Sequence, residues 1–206
     1  VNLAYSGYGP HQMLANLKSG RVRQICPQAP KVVIFQVIPD QVRRVKGWVS
    51  YNRHGPRFVL DDGTVRRSGN LDDRWWTPQA WPFLWNSRIF RRLLAPRFVG
   101  QGDLDLAVAL FRQSADEVAQ QFPGCEFHVL FWNHPDQHLA VPLRRQLNTL
   151  GIRLHDVETI IPDLEKSPRK YRIDHDGQPN SETHRLLAES VCREILGELQ
   201  IPPSDP

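Results

Sequence analysis

Two short apolar runs, Lys31–Ile38 (KVVIFQVI) and Phe127–Trp132 (FHVLFW), set the strongest limit on what this chain folds into. A half-exposed strand alternates apolar and polar residues, whereas an unbroken run reads as a strand buried on both faces, as in parallel sheets covered by helices. The segments around these runs carry helical spacing instead. Met13, Leu14 and Leu17 share one helix face, entered through Pro10 and interrupted or ended at Gly20. Asp103 is placed to cap a long helix to Gln121, with Leu106, Leu110, Ala115, Val118 and Phe122 on its apolar side and Pro123-Gly124 at its end. His138–Leu150 reads as a further helix, with Pro142 in its early part and Gly151 at the C′ position, followed by a strand over Ile152–Val157. Asn180 or Ser181 caps a final helix whose stripe is Leu186, Leu187, Val191, Ile195 and Leu199. Val1–Tyr5 reads as a strand that opens the series. The expected fold is α/β, a doubly wound, mostly parallel sheet flanked by helices.

The middle of the chain breaks this alternation. Arg57–Leu60 and Thr64–Arg67 flank Asp61-Asp62-Gly63, and an Asp-Gly turn between β-prone residues predicts a hairpin, taken as a surface excursion. From Trp75 to Leu94 the chain carries Trp75, Trp76, Trp81 and Trp85. Trp81, Leu84, Trp85, Ile89 and Leu93 fall close to one helix face, flanked by Arg88, Arg91 and Arg92. The hairpin and this Trp-rich stretch form an insertion over about residues 48–100 of a single domain spanning 1–206. With 40% hydrophobic residues the chain has the material for a core.

Composition narrows function mainly by exclusion. The formal charge is +4, but the basic residues are spread along the chain, so no nucleic-acid partner is expected. Only five of the 26 basic residues are lysine. No run of about 18 apolar residues exists, so no membrane span is expected. Three scattered cysteines, Cys26, Cys125 and Cys192, fit neither a disulfide scaffold nor a metal cluster. No cofactor is expected.

Two loops next to presumed strand ends carry the chemistry. Asn2-Leu-Ala-Tyr-Ser-Gly-Tyr-Gly-Pro10 is a glycine turn entering a helix, a geometry that aims backbone N–H groups at an anion or a developing oxyanion. Asp174-His175-Asp176-Gly177-Gln178-Pro179-Asn180 leads into the final helix, followed by Ser181-Glu-Thr-His184. Together these loops resemble the SGNH/GDSL hydrolases, serine esterases and O-acyltransferases named after a serine, a glycine, an asparagine and a histidine. The first loop is similar to that family's second block, with Gly7 at the oxyanion glycine. The second is similar to its last block, normally Asp-Gly-His-Pro-Asn. The resemblance runs over essentially all 206 residues. It implies a flavodoxin-like sheet, an acyl-serine intermediate, an acylated small molecule or glycan as substrate, and an extracytoplasmic or membrane-tethered parent protein.

The chain departs from that pattern at three places. No Gly-Asp-Ser occurs, and no asparagine stands near Ile38-Pro39-Asp40, where the family has one. Gln178 occupies the position of the catalytic histidine, and Asp176, which would orient that histidine, lacks its partner. A glutamine amide cannot take a proton from serine near neutral pH, and general-base catalysis is worth about 10² to 10⁴ in rate. His175 and His184 are nearby imidazoles, but a displaced base must still reach the nucleophile within about 3 Å or through one water. His134, Asp136 and His138 alternate in a polar loop; such spacing arises by chance, and no metal is assigned. Trp81 and Trp85 would line an acyl or glycan pocket with Arg88 holding an anionic group, or else form the packing face of an inserted helix. Because the family's serine follows a strand placed before the glycine block, an N-terminal βαβ segment of about 30 residues is expected to be missing. The expected outcome is an ester-hydrolase domain with impaired catalysis, or a non-catalytic binding or scaffolding domain of the same fold.

Overall fold

The computed structural model describes residues 1–5, 7–47, 52, 54–73, 87, 88, 99–133, 137–174 and 177–195. Its centre is a parallel sheet built from β1 (Val32–Val37), β4 (Glu126–Phe131) and β5 (Arg153–Asp156), in the order β1-β4-β5. β1 pairs with β4 from Val32↔Glu126 to Val37↔Phe131, and β4 with β5 from His128↔Arg153 to Phe131↔Asp156. A separate antiparallel hairpin joins β2 (Pro56–Asp61) to β3 (Thr64–Asn70). The helices are α1 (Pro10–Lys18), α2 (Arg21–Ile25), α3 (Gln41–Val45), α4 (Gln101–Gln121), α5 (Gln137–Thr149), α6 (Val157–Ile160), α7 (Pro168–Tyr171) and α8 (Ser181–Glu194).

Alternation along β4 divides the core. Val129 and Phe131 point to one face, where they meet Val37 of β1, Leu14 of α1, Val42 and Val45 of α3, Leu110 and Phe111 of α4, and Leu143 and Leu147 of α5. Leu130 points to the other face, with Val157, Ile161, Leu164, Tyr171 and Leu187 of the α6–α8 layer. The sheet thus has helices on both sides of β4.

Local signals explain where elements stop. Gly20 at φ +73 ends α1 and starts α2, and Gly151 at φ +69 follows α5 as the C′ residue. Asn180 caps α8 by accepting from the Thr183 N–H at 3.1 Å. The hairpin turns on Asp62 and Gly63, both at positive φ (45° and 77°), the pattern of a two-residue type I′ turn.

Five expectations are corrected. Residues 1–5 form no strand: Asn2 Oδ1 takes the Ala4 N–H at 2.9 Å and Tyr5 O takes the Tyr8 N–H at 3.0 Å, so local bonds occupy groups a ladder would need. β1 is not buried on both faces; Ile34 is 40% exposed, because the α6–α8 layer covers β4 rather than β1. The hairpin is more than a surface excursion, since Phe58 and Val65 join the main core beside α4. Asp103 is the N3 residue of α4 rather than its cap, accepting from the Gly100 N–H at 2.9 Å and pairing with Lys46 Nζ at 2.9 Å. Val157 opens α6 instead of closing the preceding strand. Trp75, Trp76, Trp81 and Trp85, Arg91 and Leu199 lie outside the described residues. Among the described residues no helix is long and apolar enough to cross a membrane.

Because Phe58 is 3% exposed and sits in the main core, Phe58→Ala is expected to cost about 3 to 4 kcal/mol of stability in urea unfolding. The neighbouring exposed Leu60→Ala should stay under about 1 kcal/mol. Equal, small effects would show that the hairpin is not part of the cooperative unit.

Candidate functional site

In a parallel sheet a helix that precedes a strand runs antiparallel to it, so the N-terminus of α1 belongs at the C-terminal edge of β1. A contact fixes it there. β1 leads through Ile38-Pro39-Asp40 into α3, and Arg44 of α3 donates from Nη1 to Tyr8 O at 2.8 Å. Arg44 and Arg43 are held in turn by Asp40, at 3.2 and 3.3 Å. Asp40 therefore stands at the end of β1 as an ion-pair anchor. Gly7 sits half-buried at φ +84, a conformation glycine adopts without strain, and the Tyr5 and Tyr8 rings meet 5.4 Å apart beside it.

Gly9 is needed for a different reason. A Cβ there would come within 2.9 Å of the His11 ring and 3.2 Å of Arg44 Cβ, so only glycine lets helix and turn close. Below it a chain of amides sets the state of a buried histidine. The Gly9 N–H donates to Gln12 Oε1 at 2.7 Å, which turns the Gln12 NH₂ toward Asn52 Oδ1. Asn52 then donates from Nδ2 to His11 Nε2 at 2.8 Å. His11 is therefore the Nδ1–H tautomer, with that hydrogen buried and unpaired. Burial lowers its pKa from the ordinary histidine value to about 3; the Asn52 bond opposes the fall and the Arg44 charge assists it.

Above this chain opens a shallow pocket of about 280 Å³, lined by Tyr8, Gln12, Asn16, Asn52, His54 and Gly55 among others. His54 Nδ1 lies 2.6 Å from Asp72 Oδ2 at its rim. None of His11, Gln12, Asn52, His54 or Asp72 is marked by sequence motifs. Gln12 alone had a readable signal, since it stands three residues after the cap, as in a capping box. His11 and Asn52 are 41 positions apart and share no pattern.

The second loop lies on the far side of the sheet. Gly177, at φ +73, donates to Ile173 O at 3.1 Å, the Ile173 N–H donates to Gln178 O at 2.8 Å, and Asn180 donates to Tyr171 O and Lys170 O. This tight return places Gln178 in an exposed position just before α8. Glu194, in the last turn of α8, reaches His155 of β5, while Leu187 in the middle of the helix packs with Leu130 of β4 and Val157 of α6. Among the described residues no hydrogen bond joins the Gly7 and Gln178 loops. Asp176, His175, Trp81 and Trp85 lie outside the described residues, as do His134 and Asp136. Arg88, His138 and His184 are described and exposed.

Between the loops the edge is closed by a polar network. Asn133 donates to Asp156 at 3.3 Å and Glu158 at 3.0 Å, Asp156 caps α6, and Arg144 pairs with Asp156 at 2.7 Å. These groups satisfy one another. Among the described residues no cluster of three or more His, Cys, Asp or Glu side chains is set to hold a metal. Comparison of the chain with protein-family models, with curated proteins and with solved structures gives no match.

A histidine held neutral in the folded state ties stability to pH with a definite sign. The unfolded chain takes up a proton below about pH 6.5, while folded His11 does not until about pH 3. The stability it permits is complete above the unfolded value and falls as the pH drops. Between pH 7 and pH 5 its share of the loss is expected to be about 2 kcal/mol. In urea unfolding, His11→Gln should remove that share of the pH dependence. An unchanged slope would refute the buried neutral ring.

Proposed function

We propose that this chain is an SGNH/GDSL-type domain for ester-bearing ligands in which catalysis is impaired and recognition is retained. The observation that carries this reading is the Gly7 turn: Arg44 of α3 holds it beside the C-terminal end of β1, the edge at which parallel sheets place their ligands. The layering supports it too. Order β1-β4-β5, with α1, α4 and α5 on one face and α8 on the other, is what the last three strands of a flavodoxin-like 2-1-3-4-5 sheet provide.

Under this reading the Gly7 N–H serves a developing oxyanion. The outer edge of β1, where the backbone groups of Val32 and Ile34 face away from β4, would accept a further parallel strand such as the one that bears the family's serine. The serine oxygen attacks the ester carbonyl, the alcohol leaves, and water releases the acyl group. Gln178 does not accept the serine proton, so both steps are slow. The pocket beside Gly7 suits a hydroxyl-rich acylated molecule such as a glycan, because the amides of Gln12, Asn16 and Asn52 donate and accept as hydroxyls do, and Tyr8 supplies an apolar face. The exposed amide at position 178 also favours a second reading, a purely binding or scaffolding domain of the same fold.

The chain as given is expected to hydrolyse p-nitrophenyl acetate no faster than its Gly7→Ala variant. Labelling of a serine by a fluorophosphonate probe would overturn that. When a Gly-Asp-Ser-bearing strand is supplied on the same polypeptide, Gln178→His should raise turnover by about 10² or more. No gain, with acetylated-oligosaccharide binding intact and abolished by Asn52→Leu, would leave the binding-only reading. Loss of both would remove the family assignment.

A further inference from the structure

On the sheet face opposite α1 and α4, a buried imidazole meets a partly exposed one. His128 of β4 is 1% exposed, and its ring lies edge to edge with that of His155 of β5, nearly coplanar, at a centroid distance of 5.1 Å and 15°. His128 Nδ1 and His155 Nε2 are 2.8 Å apart. Each outer nitrogen meets a carboxylate: His128 Nε2 lies 3.0 Å from Glu126 Oε2, and His155 Nδ1 lies 3.4 Å from Glu194 Oε2 in the last turn of α8. The result is a row of carboxylate, imidazole, imidazole and carboxylate with three links.

Each link needs one hydrogen, and ionised carboxylates bring none. Two neutral imidazoles carry two hydrogens, so three links are filled only when the pair holds one more and bears a single positive charge. The surroundings ask for that charge. The ionic groups facing the pair or sharing its hollow are Glu126 from β4, Arg153 and Asp156 from β5, Arg144 from α5 and Glu194 from α8; α6 contributes Thr159 and Ile160. Arg153 pairs with Glu126 at 2.5 Å and Arg144 with Asp156 at 2.7 Å, which leaves Glu194 with the Ser190 hydroxyl and His155. His155 keeps some contact with solvent whereas His128 has almost none, so the cation belongs on His155.

We infer that His128 and His155 share three protons and clasp the last turn of α8 to the sheet, making the closure of this helix end proton-dependent. When the third proton leaves, one link loses its hydrogen. The link that yields is the longest one, to the half-exposed Glu194. The clasp is closed in acid and open in base, opposite in sign to His11.

Histidine ring-nitrogen NMR and amide hydrogen exchange on the whole chain test this. On the acid side of this transition both His155 nitrogens and only Nε2 of His128 should carry hydrogen. Across it, as the pH rises, the protection of Ser190–Glu194, corrected for intrinsic exchange, should fall by about tenfold, the scale of one charge-assisted hydrogen bond. Glu194→Gln, at a half-exposed site that leaves the core intact, should abolish that dependence. Two neutral rings at every pH at which the chain is folded, or the same tenfold fall in Glu194→Gln, would overturn the inference.

Discussion

Strand β4 is the element on which the rest of the structure depends. It pairs on both edges, and its alternate side chains feed both hydrophobic clusters: Val129 and Phe131 on one side, Leu130 on the other. A strand placed this way carries apolar side chains on both faces over Val129–Phe131, and the buried polar group it does carry, His128, has partners on both ring nitrogens. It also forces helices to lie on both sides of the sheet and sends every connecting loop to one of two edges. The location of the Gly7 turn beside the C-terminal end of β1 follows from that, because Arg44 of α3 holds Tyr8 O there.

What could be read in the sequence was what neighbouring residues decide. The two apolar runs, the Asp62-Gly63 turn, the Gly151 stop and the Asn180 cap rest on steric and hydrogen-bonding preferences acting over a few positions, and the fold uses all of them. What could not be read depends on the neighbour. KVVIFQVI carries the same signal whether one or both of its faces are covered, so the exposure of Ile34 is invisible from the run itself. Val1–Tyr5 has strand composition, but Asn2 spends a backbone donor locally. Asp103 was legible as a helix-start residue, and its role as N3 instead of cap turned on Gly100, which carries no side chain to advertise a cap. The burial of Phe58 needed α4, more than 40 positions away.

The two buried histidines show how one residue type is held by different partners. His11 has an amide partner and an Arg44 charge nearby, so burial keeps it neutral. His128 has a carboxylate on one nitrogen and a second imidazole on the other. The partner, and not the depth alone, decides which ring nitrogen carries the hydrogen. Neither partnership follows from spacing in the sequence, since Asn52 and His155 come from distant segments.

The satisfaction of polar groups also decides where on the C-terminal edge a ligand finds anything to bind. Between β4 and β5, Asn133, Asp156, Glu158 and Arg144 are consumed by one another, and at the end of β1 Asp40 is consumed by Arg43 and Arg44. A ligand arriving there would have to break charge-assisted bonds to make its own. The Gly7 side is different, because the amides of Gln12 and Asn52 reach the lining of an open pocket while their inner atoms hold His11. Glycine at 7 and 9 brings backbone close to that pocket without a side chain in the way. The outer edge of β1 lies on the same side of the sheet. Recognition and any strand added to the sheet would therefore meet at β1, and the Gln178 return, across β4 and β5, would have to act from the opposite flank.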